Sequence, residues 1–91
     1  MVELIWDEQF KRIYRKWIRK HPELKAHFSK KIVLFSEDPF HPALKTHMLS
    51  GVLKGLWSCS ITYEHRLVFD FLDEGRTRVL LIDIGLHEEV Y

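Results

Sequence analysis

The apolar positions change period along the chain, and each change predicts a new element. Residues 2–6 (Val-Glu-Leu-Ile-Trp) form a short apolar stretch of strand length. After Asp7, the residues Phe10, Ile13, Tyr14, Trp17 and Ile18 recur at the three-and-four spacing of a helix. Lys11, Arg12, Arg15, Lys16, Arg19 and Lys20 fill the opposite face. Asp7 stands where a helix wants an N-cap carboxylate. Pro22 suits the first turn of a second helix, where its missing N–H would have no partner anyway. Leu24, Phe28, Ile32 and Phe35 continue the stripe, so the two helices predict a hairpin with one joint apolar side. Pro39 and Pro42 stop it, because neither can continue a helix.

Residues 37–54 lack a clear period and contain His41, Lys45, His47, Ser50, Gly51 and Lys54. A long aperiodic segment in so short a chain is often functional. Beyond Gly55 the period becomes two. Trp57, Cys59 and Ile61 alternate with Ser58, Ser60 and Thr62, and Leu67, Phe69 and Phe71 alternate with Arg66, Val68 and Asp70. Residues 73–76 predict a tight turn in which Gly75 can take a positive φ. Residues 79–84 are almost all apolar, as in a strand covered on both faces. The predicted order is β-α-α-β-β-β, an α+β fold in which an N-terminal helical hairpin packs on an antiparallel sheet. One domain covers residues 1–91.

Composition narrows the class. The 91 residues, 46% hydrophobic and 13% aromatic, suffice for one core. A single cysteine, Cys59, excludes an intramolecular disulfide and suits a reducing compartment. The opening residues carry no basic leader, and no apolar run approaches the ~20 residues that span a bilayer, so a cytoplasmic protein without a membrane partner is expected. The net charge of +1 conceals an asymmetry: residues 1–54 hold 11 Lys/Arg against six Asp/Glu, and residues 55–91 hold three against seven. The basic half suits an anionic partner such as RNA, although basic residues on helices are also the ordinary solvated face.

Six histidines invite a metal reading, but no His-Glu-x-x-His spacing occurs and one cysteine cannot build a zinc finger. Phosphate-loop, dinucleotide and Gly-x-Ser-x-Gly motifs are missing too, so neither a metal nor a cofactor is expected. Strand parity puts Glu64 and Arg66 on one sheet face with Asp70, and His65 on the other with Leu67 and Phe69. From spacing alone, the Glu64–Arg66 couple is either a site or an ordinary surface ion pair. His87 follows the strand-ending Gly85, and Tyr91 lies four residues further on.

Leu49-Ser-Gly, Gly55-Leu-Trp-Ser, the run from Ile61 through Thr-Tyr-Glu-His-Arg-Leu-Val to Phe69, and the ending from Ile84 through Gly-Leu-His-Glu-Glu-Val to Tyr91 resemble the RelE/ParE toxin superfamily. The Glu-His-Arg-Leu-Val run is similar to the YoeB-like pattern, and the ending to the YafQ-like pattern. The resemblance implies the toxin half of a toxin–antitoxin pair. It further implies a metal-independent endoribonuclease that cuts mRNA in the ribosomal A site through attack of the 2′-hydroxyl on the adjacent phosphate. Such a toxin pairs with a cognate antitoxin in a hetero-oligomer. By the same resemblance Arg66 is the phosphate-binding residue, for which a forked guanidinium is better suited than an ammonium. His87 is the general acid, an imidazole being suited to proton transfer near neutrality. Glu64 is the acidic site residue, His47 a candidate base, Tyr91 a terminal aromatic, and Lys45 and Lys54 are RNA contacts. His65 falls within the motif, although its parity faces the core. Ser60 departs from the pattern, since YoeB-like toxins have arginine there and YafQ-like toxins histidine. Two alternatives share the fold: a ParE-like gyrase poison, and a degenerate toxin acting as an antitoxin-bound co-repressor.

Overall fold

The computed structural model describes residues 1–87. In chain order the elements are β1 (Glu3–Ile5), α1 (Glu8–Lys20), α2 (Lys25–Glu37), β2 (His47–Met48), β3 (Trp57–Ser60), β4 (His65–Phe71) and β5 (Arg78–Leu86). Single 3₁₀ turns occupy Pro22–Leu24, Pro42–Leu44 and Gly51–Leu53. The Asp7 carboxylate caps α1 by accepting the Phe10 N–H at 2.8 Å. Glu8 lies in the first turn and Arg19 and Lys20 in the last, which complements the helix dipole. Pro22 begins the 3₁₀ turn that feeds α2, so the helix itself starts three residues later than the proline.

The α+β architecture with a helical hairpin on a sheet is as expected, with two differences in the strands. The sheet runs β1-β5-β4-β3-β2. β2 through β5 pair antiparallel, whereas β1 joins the edge parallel to β5. The reason is a count of reversals. The expected six-element order reverses direction five times and leaves its first and last strands antiparallel. The short β2, hidden in the aperiodic segment, adds a sixth reversal and makes them parallel.

One face of the sheet carries the core. Phe10 and Trp17 of α1 and Phe28 and Phe35 of α2 meet Cys59, Ile61, Leu67, Phe69, Val79, Leu81 and Ile84, with Leu44 closing one end. Parity along β5 switches partway: Val79 and Leu81 point into the core, and so does Ile84. The switch is a β-bulge. Phe69 pairs with Leu81 and Val68 with Asp83, so Ile82 is left without a partner. The same bulge turns Asp83 and Gly85 to the face away from the helices. β5 is therefore not covered evenly on both sides, as its apolar sequence suggests.

The hairpin between β4 and β5 also differs from expectation. Arg76, not Gly75, has the positive φ, at 57°. Its guanidinium lies 5.0 Å from the Phe40 ring and 5.2 Å from the Trp57 ring, a cation–π contact that offsets backbone strain. Asp73 closes the turn by accepting from the Thr77 and Arg78 N–H groups. The Thr77 hydroxyl hydrogen bond, foremost, holds the Asp73 carboxyl below its usual range. A depressed carboxyl stabilises the fold above its unfolded pKa, and that contribution disappears as the pH falls through the folded value.

His65 needs correction as a site candidate. It is 6% exposed and lies on the core face. Its Nδ1 accepts the Trp17 indole N–H at 3.0 Å, and its ring packs edge-to-face on Trp17 and on His21. It is a packing residue that ties α1 to β4. His65→Leu should therefore cost about 1–3 kcal/mol by leaving the buried indole N–H without this acceptor. Urea denaturation measures this, and a variant as stable as the parent would contradict it.

Candidate functional site

The sheet face turned away from the helices is organised in rows, because directly paired residues project to the same side. His47, Ser58, Val68 and Asp83 form one row, and Ser60, Arg66 and Gly85 the next. Gly85 adds no side chain beside Arg66. At the end of the sheet beyond this second row lies a cleft of about 480 Å³ lined by Tyr63, Glu64, Arg66, Leu86 and His87. Three sequence-predicted residues thus come together: Glu64, Arg66 and His87. The last is held by its backbone, since the His87 N–H donates to the Glu64 carbonyl at 3.0 Å. This bond extends the β4–β5 ladder past Leu86 and fixes where the histidine leaves the sheet.

Arg66 is half-buried and oriented from one side only. Its Nη1 donates to Ser60 Oγ at 2.8 Å and to the Thr62 carbonyl at 3.2 Å. Ser60 Oγ in turn donates to the same carbonyl at 2.9 Å. The three groups close a triangle that anchors one nitrogen of the fork. Among the described residues, Nε and Nη2 have no such partner, so donors remain for an incoming phosphoryl group. Sequence reasoning missed Ser60 as a site residue and treated it as a deficit. The available signal was its strand pairing: a short hydroxyl residue directly opposite an arginine on the face away from the helices.

His47 lines a separate hollow with Met48, Leu49, Ser50, Val52 and Leu53. It shares the sheet face with Arg66, one row away and two strands over, about 12 Å between Cα atoms from strand spacing and rise. Its Nδ1 lies 3.0 Å from the Lys45 carbonyl. A carbonyl only accepts, so Nδ1 is the donor in this contact, and a neutral ring making it keeps Nε2 as an acceptor. Lys45 and Lys54 are exposed on the same loop and outside the Arg66 cleft. Tyr91 lies outside the described residues. Buried Cys59 supplies no nucleophile, because burial pushes its thiol up to about 12. Among the described residues, no group of three or more His, Cys, Asp or Glu is placed to hold a metal ion. No described helix is long and apolar enough to cross a membrane.

In sequence, the chain matches no protein-family model and no curated protein. In structure it is similar to several solved toxins. A YoeB/ParE toxin from Agrobacterium tumefaciens has 28% identity and a TM-score of 0.73, over 94% of this chain and 99% of that one. YafQ from E. coli strain BL21(DE3) has 15% identity and a TM-score of 0.77, over 100% and 99%. A YoeB–YefM complex from Staphylococcus aureus has 17% identity and a TM-score of 0.69, over 96% and 98%. The last two likenesses concern the fold alone.

The triangle around Arg66 has a direct spectroscopic consequence. In nitrogen-15 NMR, rotation of the Arg66 guanidinium about its Cζ–Nε bond should be slow in the parent, fast in Ser60→Ala and slow again in Ser60→Thr. Removing the Ser60 hydroxyl should cost only about 1 kcal/mol of stability. Equally fast rotation in parent and Ser60→Ala would refute the anchoring.

Proposed function

The chain has the fold of a YafQ/YoeB-like toxin of the RelE/ParE superfamily, and from that premise we propose that it is an antitoxin-controlled endoribonuclease acting on mRNA in the ribosomal A site. The observation that carries this reading is Arg66: a guanidinium anchored on one side, with donors available on the other, in one cleft with His87 and Glu64. In the proposed reaction the ribose 2′-oxygen bonds to the adjacent phosphorus while the bond from phosphorus to the 5′-oxygen breaks. The products are a 2′,3′-cyclic phosphate and a 5′-hydroxyl. Protonated His87 gives its proton to the departing oxygen. Arg66 binds the non-bridging oxygens, whose charge is greatest in the crowded transition state. His47 takes the 2′-hydroxyl proton on Nε2, with Glu64 as the competing acceptor within the cleft. Lys45 and Lys54 then meet the RNA backbone beyond the reacting phosphate.

Two further points support this reading over its alternatives. A gyrase poison needs no general acid, whereas His87 is fixed at the cleft by its backbone bond to Glu64. A degenerate site fits poorly with a serine that orients the arginine. The ribosome supplies what the cleft lacks, because holding the mRNA in line lowers the barrier by several kcal/mol. An acidic antitoxin segment laid over Arg66 would neutralise the cleft, as an available cation attracts carboxylates. One protein of the same fold is known as a YoeB–YefM complex, in keeping with a protein partner.

Both His87→Ala and Arg66→Ala should lower ribosome-dependent cleavage roughly 10²–10⁴-fold while leaving the fold intact. Arg78→Ala is the control, because Arg78 is no lining residue of the cleft and its side chain makes an exposed ion pair with Glu3 at 3.0 Å. Mapping of new mRNA 5′ ends on purified ribosomes, with thermal unfolding alongside, decides the matter. Full cleavage by a folded His87→Ala protein would remove that residue from the reaction, and growth arrest without any mRNA cleavage would favour the gyrase reading.

A further inference from the structure

We propose that Tyr63 is a stacking subsite for one unpaired nucleobase of the RNA, next to the phosphate held by Arg66; this rests on the ribonuclease reading. The other ten described aromatic residues each have a ring neighbour in the core or in the Phe40–Trp57–Phe71 cluster. Tyr63 is the exception. Its residue is 89% exposed, and among the described residues its ring meets no other ring and its hydroxyl has no hydrogen-bond partner. An aromatic side chain so exposed contributes nothing to this core.

Its backbone, by contrast, is fixed. The turn that carries it is closed by the Ile61 N–H donating to the His65 carbonyl at 2.9 Å and the His65 N–H donating to Thr62 Oγ1 at 3.2 Å. The residue before it supplies the carbonyl that holds both Ser60 and Arg66. The ring and the guanidinium therefore stand on one rigid scaffold, and binding orders only the two side-chain torsions of the tyrosine. Tyr63 also lines two hollows. One is the Arg66 cleft, the other a depression of about 520 Å³ whose walls include His21, Thr62 and Glu64. Either hollow has the volume of a small-ligand site.

A flat, sequence-tolerant π face beside a phosphate-binding arginine is the combination that single-stranded RNA uses, with unstacked bases resting on aromatic rings while the backbone meets cations. The ligand is thus a nucleobase flanking the scissile phosphate. Stacking needs the ring and not the hydroxyl, so phenylalanine should substitute and alanine should not.

The test measures ribosome-dependent cleavage by parent, Tyr63→Phe and Tyr63→Ala, with mapped cut sites. Tyr63→Ala should lose about 5- to 100-fold in kcat/KM and blur the base preference next to the cut, with an unchanged unfolding midpoint, while Tyr63→Phe stays within about twofold of the parent. Parental rate and site preference in Tyr63→Ala would overturn the subsite and leave the ribonuclease standing. If that variant instead weakened only antitoxin binding, the ring would belong to a protein interface and the subsite would again be overturned. A parent that cuts no mRNA would overturn the ribonuclease reading. The subsite would then stand or fall on a non-cleavable 2′-deoxy trinucleotide: shifted Tyr63 ring resonances, lost affinity in Tyr63→Ala and retained affinity in Tyr63→Phe support it. Unmoved resonances overturn it.

Discussion

Strand β4 has to serve two faces at once, and the remainder of the molecule follows from how it does so. On one side His65, Leu67 and Phe69 are buried against the helices; on the other the half-buried Arg66 faces away from them. An alternating strand can do this only if both neighbours keep step with it. β3 keeps step by plain pairing, which sets Ser60 opposite Arg66. β5 does so through the bulge at Ile82, which lets Val79, Leu81 and Ile84 all reach the core. Without the extra residue, Ile84 would turn outward and Asp83 inward, placing a carboxylate in an apolar layer at a cost of several kcal/mol. The bulge thereby also sets glycine, and no larger side chain, against the arginine.

Local chemistry made the helices legible. Their stripes, the Asp7 cap and the two prolines are short-range signals, and they place both helices within a few residues. The strands from Trp57 onward were legible because one face of each is buried, so their polarity alternates. The missed features depend on long-range pairing. β2 has two exposed residues, His47 and Met48, and no pattern can mark so short a strand. The parallel alignment of β1 followed from missing it. Arg76 takes the positive φ because of rings contributed by Phe40 and Trp57, far away in sequence.

The site divides along the same line. Motif resemblance identified Glu64, Arg66 and His87, and these three share a cleft. His65 sits in the same motif, yet alternation sends it to the opposite face, where Trp17 claims its nitrogen. Motif membership names residue types; parity decides which of them reach a ligand. The motif reading gives Ser60 and Tyr63 no role, because neither has a charge or an ordinary catalytic group. Their significance is geometric, one through a hydrogen bond across the β3–β4 ladder and the other through what it leaves uncovered.

Ser60 also changes how the site's electrostatics work. A second cation at that position would lie against the Arg66 guanidinium, and two like charges in a half-buried cleft repel unless an anion is present. Serine removes the repulsion and replaces it with a 2.8 Å bond that is charge-assisted on one side only. The cleft then holds fewer positive charges but a better-positioned one. A phosphate already bears charge in the ground state, so an added cation would strengthen substrate and transition state together. In the proposed reaction, an arginine fixed before binding instead favours the geometry in which charge accumulates on the non-bridging oxygens. Under the proposed ribonuclease reading, one cation in place of two leaves more of the rate to orientation, which a ribosome holding the mRNA in line would supply.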